Sequence, residues 1–349
     1  MPMPTESINR RGDAVVSLAA ERLPMLDVGR LIAAAAIVWL HTWLTYRCDV
    51  SDAARFAVPF FTATASFLMF QSFRRKPNTS FVSFTINRFR RIYFPFLGWC
   101  FIYLIASDLK RRFVTHAGPV RLSWSVFLIG TSLQLWFLPF LLIVSLPLFP
   151  VSMFLARRRI SMRQMTVTTI TVVLAVLGLV IALAPFPWNE PSDSGQTLGE
   201  AYWFAVLSWQ ALPALFWGLA VAVVDGPRGM ARLLCGVIGA IVLVVTTAVV
   251  LIHGRNTLLE NLAGIGALFV AIMPWNSVLI GRLAVWGAAA YGIYLAHALF
   301  VEAFFAIVRK AHLPDSAPAR LGQFFATLLL TTETVWILNR SKWTRWLNG

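Results

Sequence analysis

Arg30 and His41 stand eleven residues apart in a run that is otherwise almost wholly apolar. On an α-helix that separation turns the chain by about 1100°, so the two side chains point within about 20° of each other, and it lifts His41 about 16 Å beyond Arg30. A guanidinium holds anions. An imidazole, titrating near neutrality, accepts and returns protons or attacks an electrophile. The pair therefore suits a ligand with an anionic end at one mouth of a helix bundle and a reactive end several turns inside it. Plainer roles exist for both. Arg30 can anchor the helix and pair with Asp27, one turn earlier, and His41 can pack between helices bonded to a neighbouring carbonyl.

A second basic group contains Arg74, Arg75 and Lys76, then Arg88, Arg90 and Arg91. Arg88 and Arg91 are three apart and are predicted to share a helix face. Arginine forks fit phosphate oxygens two at a time; a topology signal that also meets anionic lipid headgroups is the plainer role. Further along stand Tyr291, Tyr294, His297 and Glu302, and then Glu333. His297 and Glu302 are five residues apart and face about 140° away from each other, so they do not form an obvious dyad. The carboxylate could orient a histidine, contact a sugar hydroxyl or pack in protonated form. No glycine-rich phosphate loop, no G-x-S-x-G elbow and no H-E-x-x-H zinc motif occurs. Cys48, Cys100 and Cys235 are too scattered for a disulfide framework or a zinc site, and His116, His253 and His312 lack ligand spacing, so no metal is expected.

The elements that must position these residues follow from composition. Hydrophobic residues make up 58% of the 349, and charged residues 13%, about half the share in ordinary soluble domains. The net charge of +15 comes with a mean hydropathy of +0.71, which excludes a soluble nucleic-acid binder and a disordered chain. Apolar runs of membrane-crossing length predict an all-α polytopic protein with ten transmembrane helices, near 30–46, 54–73, 91–107, 133–156, 165–184, 202–224, 231–252, 257–274, 283–308 and 321–338. Pro139, Pro147 and Pro150 are expected to interrupt the long segment from Trp124 to Ala156. Residues 1–29 read as a cytoplasmic segment before an uncleaved anchor, 30–338 as the membrane domain, and 339–349 as a cytoplasmic tail. With both termini in the cytoplasm, two thirds of the 30 Lys and Arg fall on the cytoplasmic side, while the loop from Pro185 to Ala201 has none. Lys110, Arg111, Arg112 and Arg121 go against that orientation.

Four separated stretches resemble the membrane-bound acyltransferase family 3. Arg22 to Arg30, continuing to His41, is similar to its R-x10-H signature. Val58-Pro59-Phe60-Phe61 to Ser66-Phe67-Leu68, followed by Arg88-Phe89-Arg90-Arg91-Ile92-Tyr93-Phe94-Pro95, resembles its R-x-x-R region. Leu135-Trp136-Phe137-Leu138-Pro139 is the third, and Tyr291-Gly292-Ile293-Tyr294-Leu295-Ala296-His297 is similar to its Y-x-I-Y-L-x-H. Two positions depart from the pattern: Ser-Gly-Phe stands here as Ala65-Ser66-Phe67, and the serine before the first tyrosine is Ala290. The resemblance implies acyl transfer, acetyl first and succinyl as the variant, from cytoplasmic acyl-CoA to a sugar hydroxyl of an exported or surface polysaccharide, or of a lipid-linked saccharide, at the cell inner membrane. No permanently bound cofactor is implied; acyl-CoA is the donor substrate. His41 would be the catalytic base, and Arg30, Arg88 and Arg91 would hold the coenzyme A phosphates. Trp136, Tyr291, Tyr294, His297 and Glu302 would meet the acceptor, with aromatic packing the plainer role for the rings. A transporter of anionic solutes, with His41 as proton relay, and a purely structural subunit are the readings from other classes.

Overall fold

The computed structural model describes residues 23–43, 49–116, 123–159, 161–188, 196–224, 230–273, 275, 277–312, 314 and 316–348. Cys48, Arg121, Glu190, Asp193 and most of the 1–29 segment lie outside the described residues. The helices are α1 (Pro24–Trp43), α2 (Ala57–Arg75), α3 (Phe81–Arg88), α4 (Phe94–Lys110), α5 (Val126–Ile129), α6 (Phe137–Arg158) and α7 (Gln164–Leu183). They continue with α8 (Gln196–Val224), α9 (Met230–His253), α10 (Thr257–Ala271), α11 (Val278–Gly287), α12 (Ala290–Lys310) and α13 (Ala317–Arg340). No strand occurs among the described residues. Where lipid replaces water each backbone amide must be paired within its own segment, which helices achieve.

Among the described residues nine helical stretches are long and apolar enough to cross a membrane, α3 and α4 counting as one from Phe81 to Phe113. The chain is an all-α, multi-pass membrane protein. The eighth expected span, 257–274, is the 15-residue α10, which at about 1.5 Å per residue is too short to cross a typical bilayer unaided. The expected span 283–308 divides into α11 and α12 at Ala288 and Ala289. The prolines of the long fourth segment do not interrupt it: α6 runs unbroken with Pro147 and Pro150 inside. The break comes earlier, at Gly130, whose φ of 84° suits only glycine without strain.

Small residues let these helices approach closely. A Cβ on Gly239 of α9 would lie 2.7 Å from the Gly266 carbonyl oxygen of α10, and one on Gly266 would lie 2.6 Å from the Gly239 oxygen. Side chains repair the ladder where it is broken. Pro213 interrupts α8, and Asn261 of α10 fills the gap. Its carbonyl accepts from the Ala214 N–H at 3.1 Å, and its amide donates to the Gln210 carbonyl at 2.8 Å. Asn261→Leu would leave both backbone groups buried and unpaired, at about 1–3 kcal/mol each. The expected result is a clearly lowered melting temperature in detergent, and an unchanged one would mean that relaxation re-pairs the two groups.

Candidate active site

His41 occupies the last turn of α1, and α12 brings His297 against it with ring centroids 5.1 Å apart. Helix stagger produces the contact. Ala34 and Val38 of α1 cluster with Ala290 and Ile293 of α12 and Val335 of α13, so α12 starts beside the middle of α1. His41 follows Ala34, and His297 follows Ala290, by the same seven residues. Two turns and about 10 Å of rise on each helix then bring the imidazoles level and onto facing sides. Below them Gly287 of α11 lies against the backbone of Asp27, where a Cβ would come within 2.3 Å of the carbonyl oxygen.

His297 is wholly buried, and its Nδ1 lies 2.5 Å from the Tyr294 carbonyl oxygen. A carbonyl only accepts, so Nδ1 carries the proton and the lone pair of the neutral ring is on Nε2. That Nε2 is buried without a hydrogen-bond partner, as is the Tyr291 hydroxyl. Unpaired buried polar atoms are costly and uncommon, and a site awaiting a ligand is one established reason for them.

The walls are aromatic. The Tyr294 hydroxyl donates to the Gln134 carbonyl, and its ring lies 5.9 Å from both Phe137 and His297 and 6.4 Å from Phe61. The Tyr103 hydroxyl donates to the Leu295 carbonyl at 2.7 Å and accepts from the Leu299 N–H at 3.2 Å. It bridges two groups that an uninterrupted helix would pair directly, on either side of His297. Trp136 is buried against Phe137 and Phe140, 5.8 and 5.7 Å away, which is the packing role.

Glu302 does not turn toward His297. It binds Lys110 of α4 and is more than half exposed. Arg112 is likewise paired, 2.7 Å from Asp108, so two of the four basic residues that go against the expected orientation have their charge balanced locally. Glu302 and Arg55 are the charged groups whose fields reach His41. Arg55 pairs with Asp52 and lies 3.9 Å from Glu260. Glu333 is exposed on α13.

The arginines are divided. Arg30 lies 3.6 Å from Asp27. Arg88 reaches into a narrow cleft lined by Ala65, Ser66, Met69, Ser145 and Leu215, with its guanidinium 5.0 Å above the Phe84 ring. Arg91 is exposed. Phe89–Tyr93 is a π-turn, so the regular-helix angle between Arg88 and Arg91 does not hold across it. Ser66 stands opposite Gly218 of α8, where a Cβ would lie 2.4 Å from the serine hydroxyl. The missing side chain on Gly218 makes room for the departure at Ala65-Ser66-Phe67.

Four distant stretches thus meet in one chain of ring contacts: His41 from α1, Phe61 from α2, Phe137 from α6, and Tyr294 with His297 from α12. The profile of an acyltransferase domain, that of acyltransferase 3, matches residues 23–340. The chain belongs to the acyltransferase 3 family. Comparison with curated proteins and with solved structures gave no match. As an acyltransferase 3 family member the protein is a membrane acyltransferase, and the matched region takes in every helix from α1 to α13. No cluster of three potential metal ligands occurs among the described residues. Tyr103, Gln134, Arg55 and Arg320 are the site neighbours that spacing did not reveal. The available signal was polarity: Tyr103 and Gln134 lie in strongly apolar segments, and Arg320 precedes an apolar run.

Proposed function

We propose that this acyltransferase moves an acetyl group from cytoplasmic acyl-CoA to a sugar hydroxyl of an exported or surface polysaccharide, or its lipid-linked precursor, in the cell inner membrane. The observation that carries the reading is the contact of His41 with the buried His297, whose Nε2 is unpartnered. His41 takes the proton of the acceptor hydroxyl as the oxygen attacks the thioester carbonyl. The new carbon–oxygen bond forms, the carbon–sulfur bond breaks, and the thiolate leaves as coenzyme A after recovering a proton from the imidazolium. His297, with Nε2 as acceptor, holds a hydroxyl or the second nitrogen of His41. Tyr291 offers an O–H donor about 9 Å nearer the start of α12.

Arg88, half-buried in its cleft, would hold a coenzyme A phosphate, with Arg30 and the exposed Arg91 as the further phosphate-binding candidates. Arginine forks suit phosphate in this way. Tyr294 presents an aromatic wall to a sugar ring, and Glu302 with Lys110 forms a polar rim toward the acceptor side. The test is the mass of the surface glycan from cells with and without the gene. An acetyl-sized loss is expected; a succinyl-sized loss would change the donor, and no loss would exclude glycan acylation.

A further inference from the structure

We propose that Arg320 is a positioning residue for the His41–His297 pair, fastening the end of α1 to α12. Arg320 lies in the first turn of α13 and is only 6% exposed, a costly place for a charge unless partners compensate it. Its Nη1 donates to the Thr42 carbonyl at 3.0 Å, and Thr42 is the residue after His41. Thr42 belongs to the last described turn of α1, and the guanidinium is held against its carbonyl oxygen.

The guanidinium also lies over the Phe305 ring, 4.6 Å from its centroid. Phe305 is on α12, eight residues beyond His297. One turn along α13, Gln323 donates to the Val301 carbonyl at 3.3 Å, adding a second tie to α12. Arg320 therefore grips the helix end that carries one histidine and the helix that carries the other. Without it the last described turn of α1 loses its tie to α12 and α13, and the direction of the His41 ring is no longer fixed against His297. Lysine keeps the charge but has neither the fork nor the flat face that stacks on Phe305.

This inference rests on His41 as the acyl-transfer centre. The experiment uses membranes carrying the full chain and acetyl-CoA labelled in its acetyl group. Initial rates of label transfer to the membrane glycan are measured over a range of donor concentrations. Arg320→Ala is expected to lower kcat by about 10- to 100-fold, the scale of an ångström-sized misplacement, with KM for acetyl-CoA within about twofold. Added guanidinium is expected to restore part of the rate saturably, and Arg320→Lys to fall between wild type and alanine. Phe305→Leu should lower kcat in the same direction by less, and it decides the matter if Arg320→Ala fails to accumulate. An undiminished kcat, or a loss confined to KM, overturns the inference. A His41→Ala variant as fast as wild type overturns the reading of His41 and this inference with it. An inactive His41→Ala beside an undiminished Arg320→Ala overturns this inference alone.

Discussion

Membranes containing His41→Ala are expected to transfer label from acetyl-CoA to glycan at least about 100-fold more slowly than wild type. General-base catalysis contributes roughly 10²- to 10⁴-fold, and no other histidine can take the role without moving. His297 is the nearest of them, with ring centroids 5.1 Å apart, and its Nδ1 holds it in place on the Tyr294 carbonyl. His41 is in the last turn of α1, with apolar packing carried mainly by Ala33, Ala34, Ile37 and Val38. Truncating it should therefore leave the amount of protein in the membrane and its melting temperature nearly unchanged. Arg30→Ala provides the contrast, since a phosphate-holding arginine should raise KM for acetyl-CoA and affect kcat less. Full activity in His41→Ala would leave the imidazole a packing group only.

His297→Phe is expected to lower kcat by about 100-fold, as the removal of an orienting or proton-accepting partner does. The melting temperature should be equal or higher. Phenylalanine keeps the ring and its 5.1 Å contact with His41 but removes the unpartnered Nε2. Replacing an unsatisfied buried polar atom by an apolar one relieves a desolvation penalty, and loss of activity with gain of stability is common at functional sites. The two readouts separate the roles. If the histidine only fills space, the phenylalanine variant will turn over normally.

Several features of the fold were legible because they depend on composition. A run of about twenty apolar residues forms a membrane helix whatever its neighbours do, since no other local structure pairs its amides in lipid. Helix ends were less legible. The Ala288–Ala289 break, the shortness of α10 and the continuity of α6 through Pro147 and Pro150 depend on neighbouring helices that compensate broken ladders, as Asn261 does at Pro213. The angle between Arg88 and Arg91 departs from the regular-helix value for a local reason, the π-turn at Phe89–Tyr93, which apolar periodicity does not encode.

The site divides in the same way. The sequence by itself determined that the protein is helical and membrane-spanning, that Arg30 and His41 share one face of α1, and that its motifs resemble an acyltransferase family. Each of these follows from one segment or from the order of segments. Only the tertiary structure decided that His41 meets His297 rather than Glu302, that Glu302 pairs with Lys110, and that Arg320 donates to the carbonyl of Thr42 beside His41. The physical reason is stagger. The rise along one helix is fixed by its hydrogen bonds, but its height against another is set by side-chain packing between residues more than 250 apart, such as Ala34 and Ala290.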